Sequence, residues 1–258
     1  MPLIEINASQ VSAPIRALFR TDDPQAPRCF AVLEGIAPRG RIFVDDLHAP
    51  RWGLVQESAD QTLYLGGDVS VDGLHAAFAV LRREGPVLVG MWPDDPRLTL
   101  LPSGPVYDGL TLEFYDRPIG QGLVAILQTL PGDCDLHPID RTWVMQTEWG
   151  PGDVALWGGL DTWEARCLGY CLVRDGRVLS EAMVGPPVLG LREMGVFTRE
   201  TARGQRYGTL AAARTILAVE ALGGRTYWNC AKQNLPSVAM AYRLGYTRMR
   251  EYRCLVWA

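Results

Sequence analysis

The stretch Val196–Leu210 constrains this chain more than any other. An apolar run ending at Thr198 passes through Arg203-Gly204-Gln205-Arg206-Tyr207-Gly208 into a regular amphipathic segment. The run Leu191–Thr198 reads as a strand. From about Tyr207 to Leu222, Leu210, Ala213, Leu217 and Ala221 recur at helical spacing, and Gly223-Gly224 ends the helix. Gly204 and Gly208 let the backbone turn tightly and approach a ligand, while the first amides of the helix point outward without an intrahelical acceptor. With the helix dipole and two flanking arginines, this is an anion cradle suited to a diphosphate. The Lys-Ser/Thr ending of a P-loop is absent, which argues against nucleoside triphosphate hydrolysis. An ordinary glycine-containing turn is the competing reading of the same residues.

The elements around this segment can be read in order. Gly169–Arg174 and Arg177–Val184 flank Asp175-Gly176, a strong two-residue hairpin signal. A strand at Thr226–Cys230, a helix from about Leu235 to Leu244 capped by Asn234 and stopped by Gly245, and a last strand at Tyr252–Trp257 follow. The N-terminal half offers a short helix near Val11–Phe19 interrupted by Pro14. Strand-like runs follow at Cys29–Leu33, Arg41–Val44, Thr62–Leu65 and Val87–Met91, with a helix over Asp72–Arg83. Asp45-Asp46 reads as a turn or strand end rather than a working carboxylate pair, since adjacent strand residues face opposite ways. No internal repeat is evident in the sequence.

Composition narrows the class. The 258 residues are 48% hydrophobic and 21% charged, enough to bury a sizeable core. The formal charge of −4 divides unevenly: residues 1–125 carry 10 basic and 16 acidic side chains, and residues 126–258 carry 15 and 13. A boundary near Ala125 is also indicated by the Pro- and Gly-rich segment from Asp116 to Gly122, so two domains are expected, 1–125 and 126–258. The acidic balance, without blocks of like charge, argues against nucleic acid and membrane surfaces as partners. The opening residues lack a basic region, and no run approaches the roughly eighteen apolar residues of a membrane span, so a cytoplasmic protein is expected. The six cysteines include no Cys-x-x-Cys pair, and the nearest two, Cys167 and Cys171, have no histidine close in sequence, so the cysteines read as buried free thiols and no metal is expected. Gly120-Gln121-Gly122 with Ala125 matches a dinucleotide-binding pattern, the mark of a nucleotide-binding oxidoreductase. Arg117-Pro118 breaks the strand that this pattern requires.

Arg203-Gly204-Gln205-Arg206-Tyr207-Gly208 resembles the acyl-CoA loop of the GNAT superfamily of N-acetyltransferases, with Arg206 standing where a central glycine is common. Trp228, Cys230, Asn234 and Ser237, then Leu244-Gly245-Tyr246, are similar to that superfamily's next strand and helix. Upstream, Gly169–Gly176 and Glu193-Met194-Gly195 continue the likeness, which covers about residues 131–258. Gly40–Asp46 and Tyr64–Gly67 resemble, more loosely, the front of a bacterial subgroup with an appended N-terminal domain. The resemblance implies an α/β (α+β) fold: a mixed, mainly antiparallel GNAT-like sheet flanked by helices, preceded by a smaller α/β N-terminal domain, itself GNAT-like in degenerate form.

Function follows from the same resemblance: acetyl-CoA as co-substrate, and transfer of its acetyl group to a primary amine by direct attack on the thioester. It puts the pantetheine along Val196, Phe197 and Thr198, and the diphosphate on the amides of Arg203, Gly204, Gln205, Arg206, Tyr207, Gly208 and Thr209. For Arg203 and Arg206, surface solvation is the alternative. Asn234 and Ser237 match the second cofactor-contacting motif, where Asn234 also serves as a helix cap. Glu193, five residues before Thr198, is the expected general base, with a strand-edge carboxylate as its alternative. Glu200 and Glu181 are weaker candidates. The general acid of many members is a tyrosine seven residues after the Asn, but position 241 is Ala, and Tyr242 is rotated by about 100°. Tyr242 is thus a fallback acid with packing as its other role. The acceptor, a small-molecule or protein amine, is not readable; tryptophans such as Trp143, Trp149, Trp157 and Trp163 could line an apolar acceptor pocket, but core and interface roles are their usual reading. Either a monomer or a homodimer is compatible, and a non-catalytic acyl-CoA-binding regulatory domain is the alternative function.

Overall fold

Residues 3–57, 61–120 and 122–258 are described in the computed structural model. The chain divides into two compact units, and the division is not a single cut. The first holds the residues up to Glu113 together with Ala231–Gln233 and Glu251–Ala258; the second holds Phe114–Cys230 and Asn234–Arg250. The first crossing, between Glu113 and Phe114, lies inside a strand. Among the described residues no helix is long and apolar enough to cross a membrane.

In the first unit, β1 (Ile4–Ile6), α1 (Ala13–Ala17), α2 (Ala26–Leu33), β2 (Gly40–Val44), β3 (Trp52–Glu57), β4 (Thr62–Gly67), α3 (Val71–Leu81), β5 (Val87–Met91) and β6 (Tyr107–Phe114) follow in order. The first four strands pair antiparallel in sequence. After the α3 crossover, β5 lies parallel to β4 at Thr62–Leu88. Alternate residues Trp52 and Leu54, Leu63 and Leu65, and Val87, Val89 and Met91 meet Leu74, Phe78 and Leu81 of α3 in one core. Period two in the strands and an i, i+4, i+7 stripe in the helix produce that face. Asp45 and Asp46 form the β2–β3 turn, Asp45 accepting from the amides of Arg51 and Trp52 and Asp46 from those of His48 and Ala49.

Cys29–Leu33, expected to be a strand, is the last part of α2. Pro27 sits in the first turn of that helix, and Cys29, Phe30, Val32 and Leu33 are all buried. A short apolar run has no periodicity to separate a buried helix from a strand, so burial and the N-terminal Pro decide it.

The second unit contains α4 (Leu123–Leu127), β7 (Asp135–Pro138), α5 (Gly150–Leu156), α6 (Leu160–Arg166), β8 (Leu168–Arg174), β9 (Arg177–Val184), β10 (Leu191–Thr198), α7 (Tyr207–Ala221), β11 (Arg225–Ala231) and α8 (Leu235–Arg243). Strands β7 to β10 are antiparallel neighbours, and β11 returns parallel to β10. The β8–β9 hairpin turns on Asp175 (φ 51°) and Gly176 (φ 71°), as its dipeptide predicts. One face of this sheet carries α7, whose Thr215 hydroxyl donates to Ala182 O at 3.1 Å and accepts from Tyr170 N–H at 3.1 Å. On the other face Val144, Trp163 of α6 and neighbouring tryptophans pack on Cys171, Val173 and Met183. The result is the mixed, mainly antiparallel sheet between helices that the sequence predicts. The last strand, β12 (Met249–Trp257), pairs antiparallel with β5 from Arg253–Met91 to Trp257–Val87 and places Leu255 and Trp257 in the first unit's core.

Candidate active site

The site is built on a fork between two parallel strands. Leu191, Arg192 and Glu193 pair with Arg225, Thr226 and Tyr227, and among the described residues the β10–β11 pairing ends there. On its other side β10 stays paired with β9 through Thr198. From Met194 onward one edge of β10 therefore has no strand beside it, and backbone groups along Gly195, Val196, Phe197 and Thr198 can pair with an extended ligand.

The start of α7 sits beside this open edge. A Cβ added at Gly208 would come 2.9 Å from Thr198 Oγ1 and 3.2 Å from both Val196 Cγ1 and Met240 Cε, so only glycine permits this approach of helix to strand. Leu210 N–H closes the first intrahelical bond shown, onto Arg206 O at 3.1 Å. The amides of Tyr207, Gly208 and Thr209 precede it and have no intrahelical carbonyl by helix geometry. Gly204 (φ 80°) and Arg206 (φ 63°) are both left-handed, and the loop folds back so that Arg203 Nε donates to Thr198 O at 3.3 Å. Tyr207 is buried; its hydroxyl donates to Gln205 Oε1 at 2.7 Å and accepts from Arg174 Nη1 at 3.2 Å, which fixes the exposed loop from beneath. Burial pushes the Tyr207 phenol up, so it stays a neutral donor. The predicted cradle residues are thus brought together, with the Arg203 and Arg206 side chains exposed at its rim.

Asn234 caps α8, its side chain accepting from Ser237 N–H at 3.3 Å, and Ser237 Oγ accepts from Trp228 Nε1 at 3.0 Å. These bonds tie the start of α8 to the far arm of the fork. Ala241 is fully buried. Tyr242 is 52% exposed with its ring edge-on to Phe114, centroids 5.3 Å apart, a packing contact. The dinucleotide-like segment is differently employed: Gly120 N–H donates to Glu220 Oε2 at 3.1 Å and Arg117 pairs with Glu220, while Gln121 lies outside the described residues.

Two carboxylates need separate accounts. Glu193 is the last β10 residue paired with β11 and is partly buried at the apex of the fork. Glu181, which reads from the sequence as the outer end of a hairpin strand, is 1% exposed and stands opposite Phe197 on β9. Its two oxygens accept from the amides of Glu148 (2.7 Å) and Trp149 (3.0 Å). Burial pushes its carboxyl up, and those two amides oppose the shift. Sequence reasoning missed this anchor because its partners lie over thirty residues away.

A protein from Streptococcus suis 89/1591 described as GCN5-related N-acetyltransferase-like is 22% identical, with a TM-score of 0.70 over 96% of this chain and 99% of that one. A tandem GNAT protein from the clavulanic acid biosynthesis pathway is 12% identical, with a TM-score of 0.61 over 99% and 97% of the two chains. An acetyltransferase from the GNAT family of Colwellia psychrerythraea is 10% identical, with a TM-score of 0.58 over 99% of both. At these identities the likeness is one of fold. No match was found among curated proteins. The GNAT acetyltransferase family profile matches residues 110–255, more than half of the chain, and this chain belongs to that family.

Proposed function

We propose that the protein transfers the acetyl group of acetyl-CoA to a primary amine by direct attack on the thioester. The observation that carries this reading is the fork at Glu193–Tyr227 with the open amides of α7 beside it. The open edge of β10 suits the amide groups of pantetheine. The loop amides from Arg203 to Thr209, with Arg203 and Arg206 at the rim, suit the diphosphate. Asn234 and Ser237 lie across the fork, suited to the pantetheine arm.

In the reaction, the amine nitrogen forms its bond to the carbonyl carbon and the C–S bond breaks. The amine proton passes to Glu193, directly or through water, and CoA leaves as its thiolate. A β10 amide beyond the fork is placed to stabilise the oxyanion. Thiol release with a panel of primary amines tests the reading. Glu193→Gln is expected to lower kcat/KM about 100-fold or more, with calorimetric acetyl-CoA binding retained. Buried Ala241, in the position of the family's acid, favours a second reading: an acyl-CoA-binding domain without turnover. Binding without thiol release across the panel would establish that alternative.

A further inference from the structure

Trp149 lies next to the first residue of α5 with 39% of its surface exposed. Its ring packs on Phe197 with centroids 5.9 Å apart, tilted by 57°. It also lies over Gly195 so closely that a Cβ there would stand 2.9 Å from Cζ3 of the indole. Strand alternation puts Glu193, Gly195 and Phe197 on one face of β10, opposite the Val196 and Thr198 face that meets α7. Trp149 therefore stands on the same face as Glu193, beyond the end of the β11 pairing.

The backbone under this ring is held in place. Glu181, buried opposite Phe197, takes the amides of Glu148 and Trp149 on its two oxygens. Charge-assisted bonds of this kind are about twice as strong as neutral ones. The carboxylate is enclosed, so the loop bearing Trp149 cannot leave without stranding it. The indole is partly exposed while the backbone that carries it is fixed, an arrangement that lowers the ordering cost of binding a ligand against it. Along β10 the aromatic pair of Trp149 and Phe197 follows Glu193, and Glu148, next to Trp149 in sequence, is an exposed carboxylate.

We propose that Trp149 determines acceptor choice: with Phe197 it forms an aromatic wall that takes the flat apolar arm of a primary amine whose nitrogen is directed to Glu193. This rests on the acetyl-transfer reading above. An amine with an aryl group one or two carbons from its nitrogen fits, because the wall starts within two residues of the carboxylate. The carboxylates favour arrival of the protonated amine, which must lose a proton before attack.

The test compares 2-phenylethylamine with ethylamine as acceptors and reads the ratio of their kcat/KM values. The wild type is expected to prefer the aryl amine, Trp149→Ala to reduce the ratio at least tenfold, and Trp149→Phe to keep most of it. The acetyl-CoA KM is expected to be the same in all three. A ratio unchanged in folded Trp149→Ala, or a wild type without aryl preference, overturns the inference and leaves acetyl transfer standing. Failure of the wild type to bind acetyl-CoA by calorimetry overturns both.

Discussion

Arg206 holds a backbone conformation that its side chain disfavours. Its φ of 63° is left-handed, which costs an L-residue about 1–2 kcal/mol. Glycine would adopt it freely but would also gain freedom in the unfolded chain, worth about 0.5–1 kcal/mol. Arg206→Gly is therefore expected to stabilise the fold by up to about 1 kcal/mol, read as a small rise in Tm. The same change removes a rim cation and is expected to weaken acetyl-CoA binding several-fold in calorimetry. Opposite signs for stability and affinity distinguish a retained ligand contact from an incidental residue. The turn at this loop was legible because glycine and arginine announce it locally. The role of Glu181 was not, since its burial and its bonds to Glu148 and Trp149 arise only when β9 meets the segment before α5.

At the scale of elements, the site depends on how closely α7 approaches β10. Gly208→Ala would gain about 1 kcal/mol of helix propensity, but its Cβ would press on Thr198, Val196 and Met240. Thr198 cannot turn away freely, since its hydroxyl is bonded to Ser180 Oγ at 2.8 Å. Overpacking of this sort costs about 1–3 kcal/mol. The variant is expected to lose stability in denaturant titrations and to bind acetyl-CoA more weakly, as the amide crown is pushed from the strand. The elements of this half, β8 to β11 with α7 and α8, were readable because each has a clear period and a Gly or Asn boundary. Short apolar runs divided: Arg41–Val44, Thr62–Leu65 and Val87–Met91 are strands as read, but Cys29–Leu33 belongs to a helix, and β3, with Gly53 and five buried residues, has no alternation to announce it.

On the scale of the whole molecule, the two units share one connection. Strands β2, β3 and β4 are antiparallel and lead through α3 to the parallel β5, as β8, β9 and β10 lead through α7 to β11. The first unit has only a small pocket in the corresponding place, bounded by Leu65, Gly90, Met91 and Arg97. Arg97 Nη1 donates to Leu65 O on β4 at 2.7 Å, and its guanidinium is paired with Asp23 and Asp95. Its β4–α3 connection is only Asp68-Val69-Ser70, and Ser70 caps its own helix. One acetyl-CoA per chain is the expected stoichiometry in titration calorimetry, and a value of two would contradict it.

Strand β12 carries a consequence for synthesis. Residues Glu251–Ala258 belong to the unit that contains the chain's earliest strands, and Leu255 and Trp257 fill its core beside β5. A ribosome releases those residues after the rest of both units, so the unit translated first waits for its sheet to be completed. Until then β5 presents an unpaired edge and an unfilled space where Trp257 will sit. The second unit likewise needs Asn234–Arg250, so neither unit is complete until the segment after β11 has been made.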